Sequence, residues 1–219
     1  MKISRETLNV FKNYASINTN LLLNPGNKLA TISSQKNIMS DVTVTETFPV
    51  EFGIYDLNEF LGVMTLFNDP ELDFSEKHVI ISEVGSKIKY FAAESSVLTV
   101  PPAKPIQFPD PEINFTLTTH MLAMIQKTAS VLHCADMSVT GDGSEMSILV
   151  GDKKNVTGNT YSTIVGSTDS IFKINFKAEN LKMLAGDYEV DISSKKISRF
   201  QSTSSDLKYY IAVEADSEF

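Results

Sequence analysis

Three histidines (His78, His120, His133) and one cysteine (Cys134) are the side chains best suited to proton transfer or nucleophilic attack. His133 and Cys134 are neighbours, and adjacent helical residues point about 100° apart, so they cannot pair as base and nucleophile on a helix. Cys134 reads instead as a core filler or the start of a strand. The chain has no Gly-rich phosphate loop ending in Gly-Lys-Ser/Thr, no His-Glu-x-x-His and no Gly-x-Ser-x-Gly. Asp69, Glu71, Asp73 and Glu76 lack the glycine and the ligand spacing of a calcium loop and read as a solvated strand edge. One cysteine excludes an intrachain disulfide and leaves no basis for a Cys-based zinc site. These residues predict neither an enzyme nor a bound cofactor or metal.

A different chemistry is offered by Arg5, Asn9, Lys12 and Ser16, spaced to share one face of a helix. That stripe is basic or neutral and contains no acid. His120 and Lys127 lie on a second predicted helix, and Lys177 and Lys182 on another. The acids gather elsewhere, at Asp69–Glu76 and at Glu214, Asp216 and Glu218. A mildly basic helical layer in an acidic body suits a phosphate backbone. The competing reading is that any surface helix carries a few lysines.

The elements that carry these residues follow from periodicity. Ser4–Ile17 reads as a helix capped by Ser4, with Leu8, Phe11 and Ala15 on its apolar face. Thr118–Leu132 reads as a helix with Leu122, Ile125 and Ala129, each 114 residues later. Asp56-Leu57-Asn58-Glu59 resembles a capping box ahead of Phe60, Leu61 and Met64. Lys177–Ala185 reads as a fourth helix, stopped by Gly186 in a left-handed conformation. Elsewhere the period is two, as in Ile113/Phe115/Leu117, Phe172/Ile174/Phe176 and Tyr188/Val190/Ile192. Five of the eight prolines fall within Pro101–Pro111, which predicts an extended connector (101–111) between domains 1–100 and 112–219. The pattern is a duplicated α+β domain with antiparallel sheets.

Composition bounds the rest. The 219 residues are 42% hydrophobic and 21% charged, enough to bury a core. Nineteen basic against 27 acidic side chains give a net charge of −8, which argues against nucleic-acid binding over the whole surface and leaves room for a local basic strip. No signal core or membrane-length apolar run is present, so a soluble protein of a reducing cytoplasm is expected, without membrane partners.

Four segments resemble the sliding clamps of T-even-type bacteriophages: Met1–Ser4 leading to Lys12-Asn13-Tyr14-Ala15-Ser16-Ile17-Asn18; Ile54–Gly62; Pro102-Ala103-Lys104-Pro105-Ile106-Gln107-Phe108-Pro109; and Val213–Ser217. Their order and spacing follow the family over nearly the whole chain. The resemblance implies a homotrimeric ring around duplex DNA, with two helices per domain lining the hole and sheets outside. It implies tethering of the phage DNA polymerase through that enzyme's C-terminal peptide, loading by an ATP-driven clamp loader, and a part in late transcription. It implies action in the cytoplasm of the infected bacterium and contact with DNA regardless of sequence. Lys2, Arg5, Lys12, Lys127, Lys177 and Lys182 would face DNA. Pro105, Ile106, Phe108, Tyr210 and Val213 would line the partner-peptide pocket. The subunit contact would pair an edge at Ser96, Val97, Leu98 and Val100 with one at Val156, Tyr161 and Ile164. The alternative from another class is a non-catalytic two-domain interaction protein that does not encircle DNA.

Overall fold

The computed structural model describes residues 1–155 and 157–219. The chain forms two compact units, Met1–Pro105 and Ile106–Phe219.

In the first unit, helix α1 (Arg5–Ile17) starts at Ser4, whose hydroxyl accepts the Thr7 N–H at 3.2 Å. Its buried residues are Thr7, Val10, Phe11, Tyr14 and Ile17. The face is therefore rotated from the one expected: Leu8 and Ala15 are only half-buried. Two side chains with polar atoms take core positions because each has a partner. The Thr7 hydroxyl donates to the Glu46 carboxylate at 2.5 Å, and the Ser40 hydroxyl donates to the Tyr14 hydroxyl at 3.2 Å.

Glu46 also accepts the Ser4 N–H at 2.5 Å. Burial pushes its carboxyl up, but the hydrogen bonds from Thr7 and Ser4 outweigh burial and hold it below its ordinary value of 4.5. A depressed carboxyl stabilises the fold above its unfolded value, and that contribution is lost as pH falls through the folded value. Glu46→Gln is expected to cost about 1 kcal/mol at neutral pH. The deficit should shrink once the pH drops below 4.5. Thermal melts of both proteins across that range check it.

Strands β1 (Leu21–Leu23), β2 (Gly26–Ile32), β3 (Ile38–Phe48) and β4 (Phe52–Ile54) follow. β1 pairs with β4 and β2 with β3, all antiparallel. Gly53 in β4 makes room for a crossing segment: a Cβ there would collide with the Ala93 carbonyl oxygen. Helix α2 (Leu57–Met64) is capped by Asp56, which accepts the Asn58 and Glu59 N–H groups, and it buries Leu57, Phe60 and Met64. β5 (Glu71–Phe74), β6 (His78–Glu83) and β7 (Ser86–Phe91) form a three-stranded sheet. Between the helices and these sheets lies an aromatic core. Phe11 contacts Phe48 and Phe60, Phe60 contacts Tyr90, and Phe74 contacts Phe48 and Phe52, with ring centroids 5.2–6.4 Å apart.

The second unit repeats this order. β8 (Ile113–Leu117) leads into α3 (Thr119–Val131), then β9 (Asp136–Asp142), β10 (Glu145–Gly151), β11 (Tyr161–Ser167) and β12 (Ile171–Lys177). Three more strands end it: β13 (Tyr188–Ser193), β14 (Ile197–Ser202) and β15 (Lys208–Ala212). β9 pairs with β12 as β1 does with β4, β10 with β11 as β2 with β3, and β13-β14-β15 match β5-β6-β7. α1 and α3 keep the 114-residue offset of the sequence repeat. The alternating residues of β8 and β13 are buried as their period predicts.

One expected helix ends where its spacing predicts, through a cap the sequence does not mark, and another departs from expectation. α3 closes through His133 in the left-handed region (φ 53°), with Cys134 N–H bonded to the Ala129 carbonyl and His133 N–H to that of Ser130. Such a cap ordinarily uses glycine, so no sequence signal marked it. The fourth helix does not form. Lys177 belongs to β12, and Ala178–Asn180 makes one 3-10 turn. Beyond it, side chains claim the backbone groups a helix needs. Gln126 donates to the Leu181 carbonyl, Tyr188 to that of Leu184, and the Leu184 N–H donates to the Tyr209 hydroxyl. Leu181 and Met183 are buried in place of Leu181 and Leu184. Gly186 does not adopt the left-handed conformation. The described residues thus contain three α-helices, two in the first unit and one in the second.

Candidate nucleic-acid interface

Arg5, Asn9, Lys12 and Ser16 form an exposed, acid-free row along α1. Arg5 and Lys12 border a depression of about 390 Å³ that is also lined by Ile3, Leu8, Met64, Phe67 and the acid Asp69. Both side chains are exposed, so their charges stand in solvent. Neither makes an ion pair among the described residues, and the same holds for Lys127, exposed on α3.

The other basic candidates sit differently. Lys2 is ion-paired with Asp69, and that hydrogen bond raises its pKa. Lys177 donates to Asp136 at 2.8 Å, and this bond likewise raises its pKa. Asp136, with a side chain only 6% exposed, also accepts the Lys153 N–H. Lys177 therefore balances a buried carboxylate from a strand, and its charge is committed within the fold. Lys182 is exposed on the irregular segment where a helix was expected. Of the six candidates, Arg5 and Lys12 on one unit and Lys127 on the other are thus exposed with no ion pair among the described residues.

Of the five residues expected to line a partner pocket at the connector, two are buried. Tyr210 and Val213 are 8% and 6% exposed. Phe108 lies half-buried against Tyr210, with ring centroids 6.4 Å apart. The Arg199 guanidinium sits 4.8 Å from the Phe108 ring centroid and is held by Asp191 at 2.6 Å. Ile106 is half-buried and Pro105 exposed. Sequence reading missed Arg199, because its place beside Phe108 depends on strand register.

The expected Ser96–Val100 edge is not a strand. Ser96 and Val97 belong to a 3-10 turn (Ser95–Val97), Leu98 is buried, and Val100 is exposed. Between them, the Thr99 N–H donates to Asn20 and its carbonyl accepts from Asn18, so its backbone is already paired. β7 is one of the two terminal strands of the β5-β6-β7 sheet, and its Phe91 is 66% exposed. Tyr161 and Ile164 do lie on a terminal strand, β11, with Ile164 56% exposed; Val156 falls outside the described residues.

Burial, with Asp152 and Asp136 nearby, pushes the Cys134 thiol up, away from the reactive thiolate. Among the described residues no cluster of His, Cys, Asp or Glu could hold a metal, and no helix is long and apolar enough to cross a membrane.

Two α+β units that repeat one strand order, each with a terminal strand and an exposed basic residue on its first helix, have the arrangement of a clamp-type fold. The profile described as DNA polymerase processivity factor matches residues 3–100, and that described as gp45 sliding clamp, C terminal, matches 114–215. A sliding clamp of Vibrio phage KVP40 is 33% identical over 98% of this chain and 100% of its own length. The chain belongs to the sliding-clamp family of DNA polymerase processivity factors. Its fold is shared by A. fulgidus PCNA, solved with the C-terminal region of FEN-1 bound (TM-score 0.68, 11% identity, 96% of each chain). It is also shared by the Helicobacter pylori beta clamp bound to a DNA ligase peptide (TM-score 0.72, 12% identity, 98% of this chain and 65% of that one).

Proposed function

We propose that three copies of this chain close head to tail around duplex DNA and tether the phage replicative polymerase. The observation that carries this reading is that two unlike terminal strands, β7 on the first unit and β11 on the second, each expose a large apolar side chain. Two different edges on one subunit favour a heterologous contact, which gives a ring when its rotation closes. Pairing them also covers backbone groups and the exposed side chains Phe91 and Ile164. In this reading the clamp domains are 1–100 and 112–219, joined by the connector 101–111.

The duplex would meet Arg5, Lys12 and Lys127. Few phosphate contacts give weak, sequence-independent binding, which suits sliding. The acidic remainder of the surface, within a net charge of −8, disfavours DNA elsewhere. An ATP-driven loader would open the ring, and late-transcription factors would share it in the infected bacterium. Two clamp-fold structures hold short segments of DNA enzymes. By the same logic, the C-terminal peptide of the phage polymerase would dock on the connector side of the second unit. The activity itself uses no cofactor.

Light scattering after gel filtration tests the ring. A particle near three times 24.2 kDa is expected, and a lone subunit at every concentration would contradict the reading.

A further inference from the structure

Asn114, Asp191, Arg199 and Tyr210 stand directly opposite one another across β8, β13, β14 and β15. They form one continuous rung. Asp191 accepts two hydrogen bonds from Arg199, from Nη2 at 2.6 Å and from Nε at 3.2 Å, so the guanidinium is fixed in place. Phe108 rests on this rung, 4.8 Å from the guanidinium and 6.4 Å from the Tyr210 ring. Among the described residues no hydrogen bond holds residues 106–110 to the sheet; the nearest backbone bond is from Glu112 to Ile192. The connector is held here by half-buried side chains alone, Ile106, Phe108 and Pro109.

We propose that Arg199 and Tyr210 form an aromatic slot, that Phe108 is its resident occupant, and that an aromatic side chain of the bound peptide replaces it. This rests on the reading that a polymerase peptide docks beside the connector. An incoming ring would meet the same cation and the same neighbouring ring that Phe108 meets, so the exchange conserves the contacts of the slot. Arg199 needs no reordering, because Asp191 holds it whichever ring is present. Phe108 can leave without breaking a backbone hydrogen bond. The peptide is thus an extended segment with an aromatic anchor, and each binding event must first displace the clamp's own ring.

This reverses the sign of a simple experiment. If Phe108 were a wall of the pocket, Phe108→Ala would weaken binding. As a competitor, its removal should tighten binding of a synthetic peptide of the cognate polymerase's C-terminal residues by about 5- to 10-fold, measured by calorimetry on the full chain. Unchanged or weaker binding would overturn the proposal. A second measurement does not depend on a truncation. With 4-fluorophenylalanine at position 108, the ¹⁹F resonance should move toward that of the free label as peptide saturates the clamp. A resonance that stays in place at saturation would overturn the proposal, as would a peptide that binds neither wild type nor Phe108→Ala. The solution mass is independent of the peptide, so failure of the slot and failure of the ring are separable.

Discussion

The double variant Arg5→Glu, Lys12→Glu is expected to lose at least about tenfold of clamp-dependent processivity while melting no lower than wild type. Both side chains are exposed, so neither substitution opens a cavity. Arg5 is the first residue of α1, at the positive end of the helix dipole, where a cation is unfavourable and an acid is favoured. Arg5→Glu should therefore stabilise the helix slightly, by about 0.3–1 kcal/mol at low salt. Function and stability are predicted to move in opposite directions. A structural role for Arg5 predicts the reverse for stability, and a merely solvated face predicts no change in processivity. In a trimer the two substitutions act three times over, which is why a large effect is expected from a weak contact. Primer extension at several salt concentrations, beside thermal melts, separates these outcomes.

The second large effect concerns the proposed ring. Phe91→Asp with Ile164→Asp should leave each subunit folded, because both positions are largely exposed in the single chain. In a β7–β11 contact the same positions become buried, and two unpaired carboxylates there cost several kcal/mol per contact. The expected result is a shift from trimer to monomer at micromolar protein, with subunit affinity weakened by at least about 100-fold. Sedimentation velocity at matched concentrations reads this directly. A trimer that survives both substitutions would remove these strands from the contact.

Much of the helical layer was legible in the sequence because its signals are local. Ser4, Asp56 and Thr118 each cap a helix through their own side chains, and apolar spacing marks the turns after each cap. The duplication was legible too, since α1 and α3 keep one offset. The features that escaped depend on partners distant in the chain. Thr7 and Tyr14 sit in the core with hydrogen-bond partners, Glu46 and Ser40, that are distant in the chain. The segment after Lys177 has helical spacing, but Gln126, Tyr188 and Tyr209 take its backbone groups. Lys177 looked like a cation on a helix and proved to be the counter-charge of Asp136. The β7 edge was missed because Ser86–Phe91 alternates like any other strand, and position in a sheet is not encoded by alternation. Arg199 became visible only when the register set it between Asp191 and Tyr210.

Retention on a closed circle of duplex DNA tests the central claim most directly. Labelled clamp, loaded on a nicked circle by its loader with ATP, should stay bound once the loader is removed. It should be released when a single cut makes the circle linear. Retention that depends on DNA topology rather than on surface affinity is the result predicted here. Equal rates of loss from the circle and from the linear molecule would contradict it.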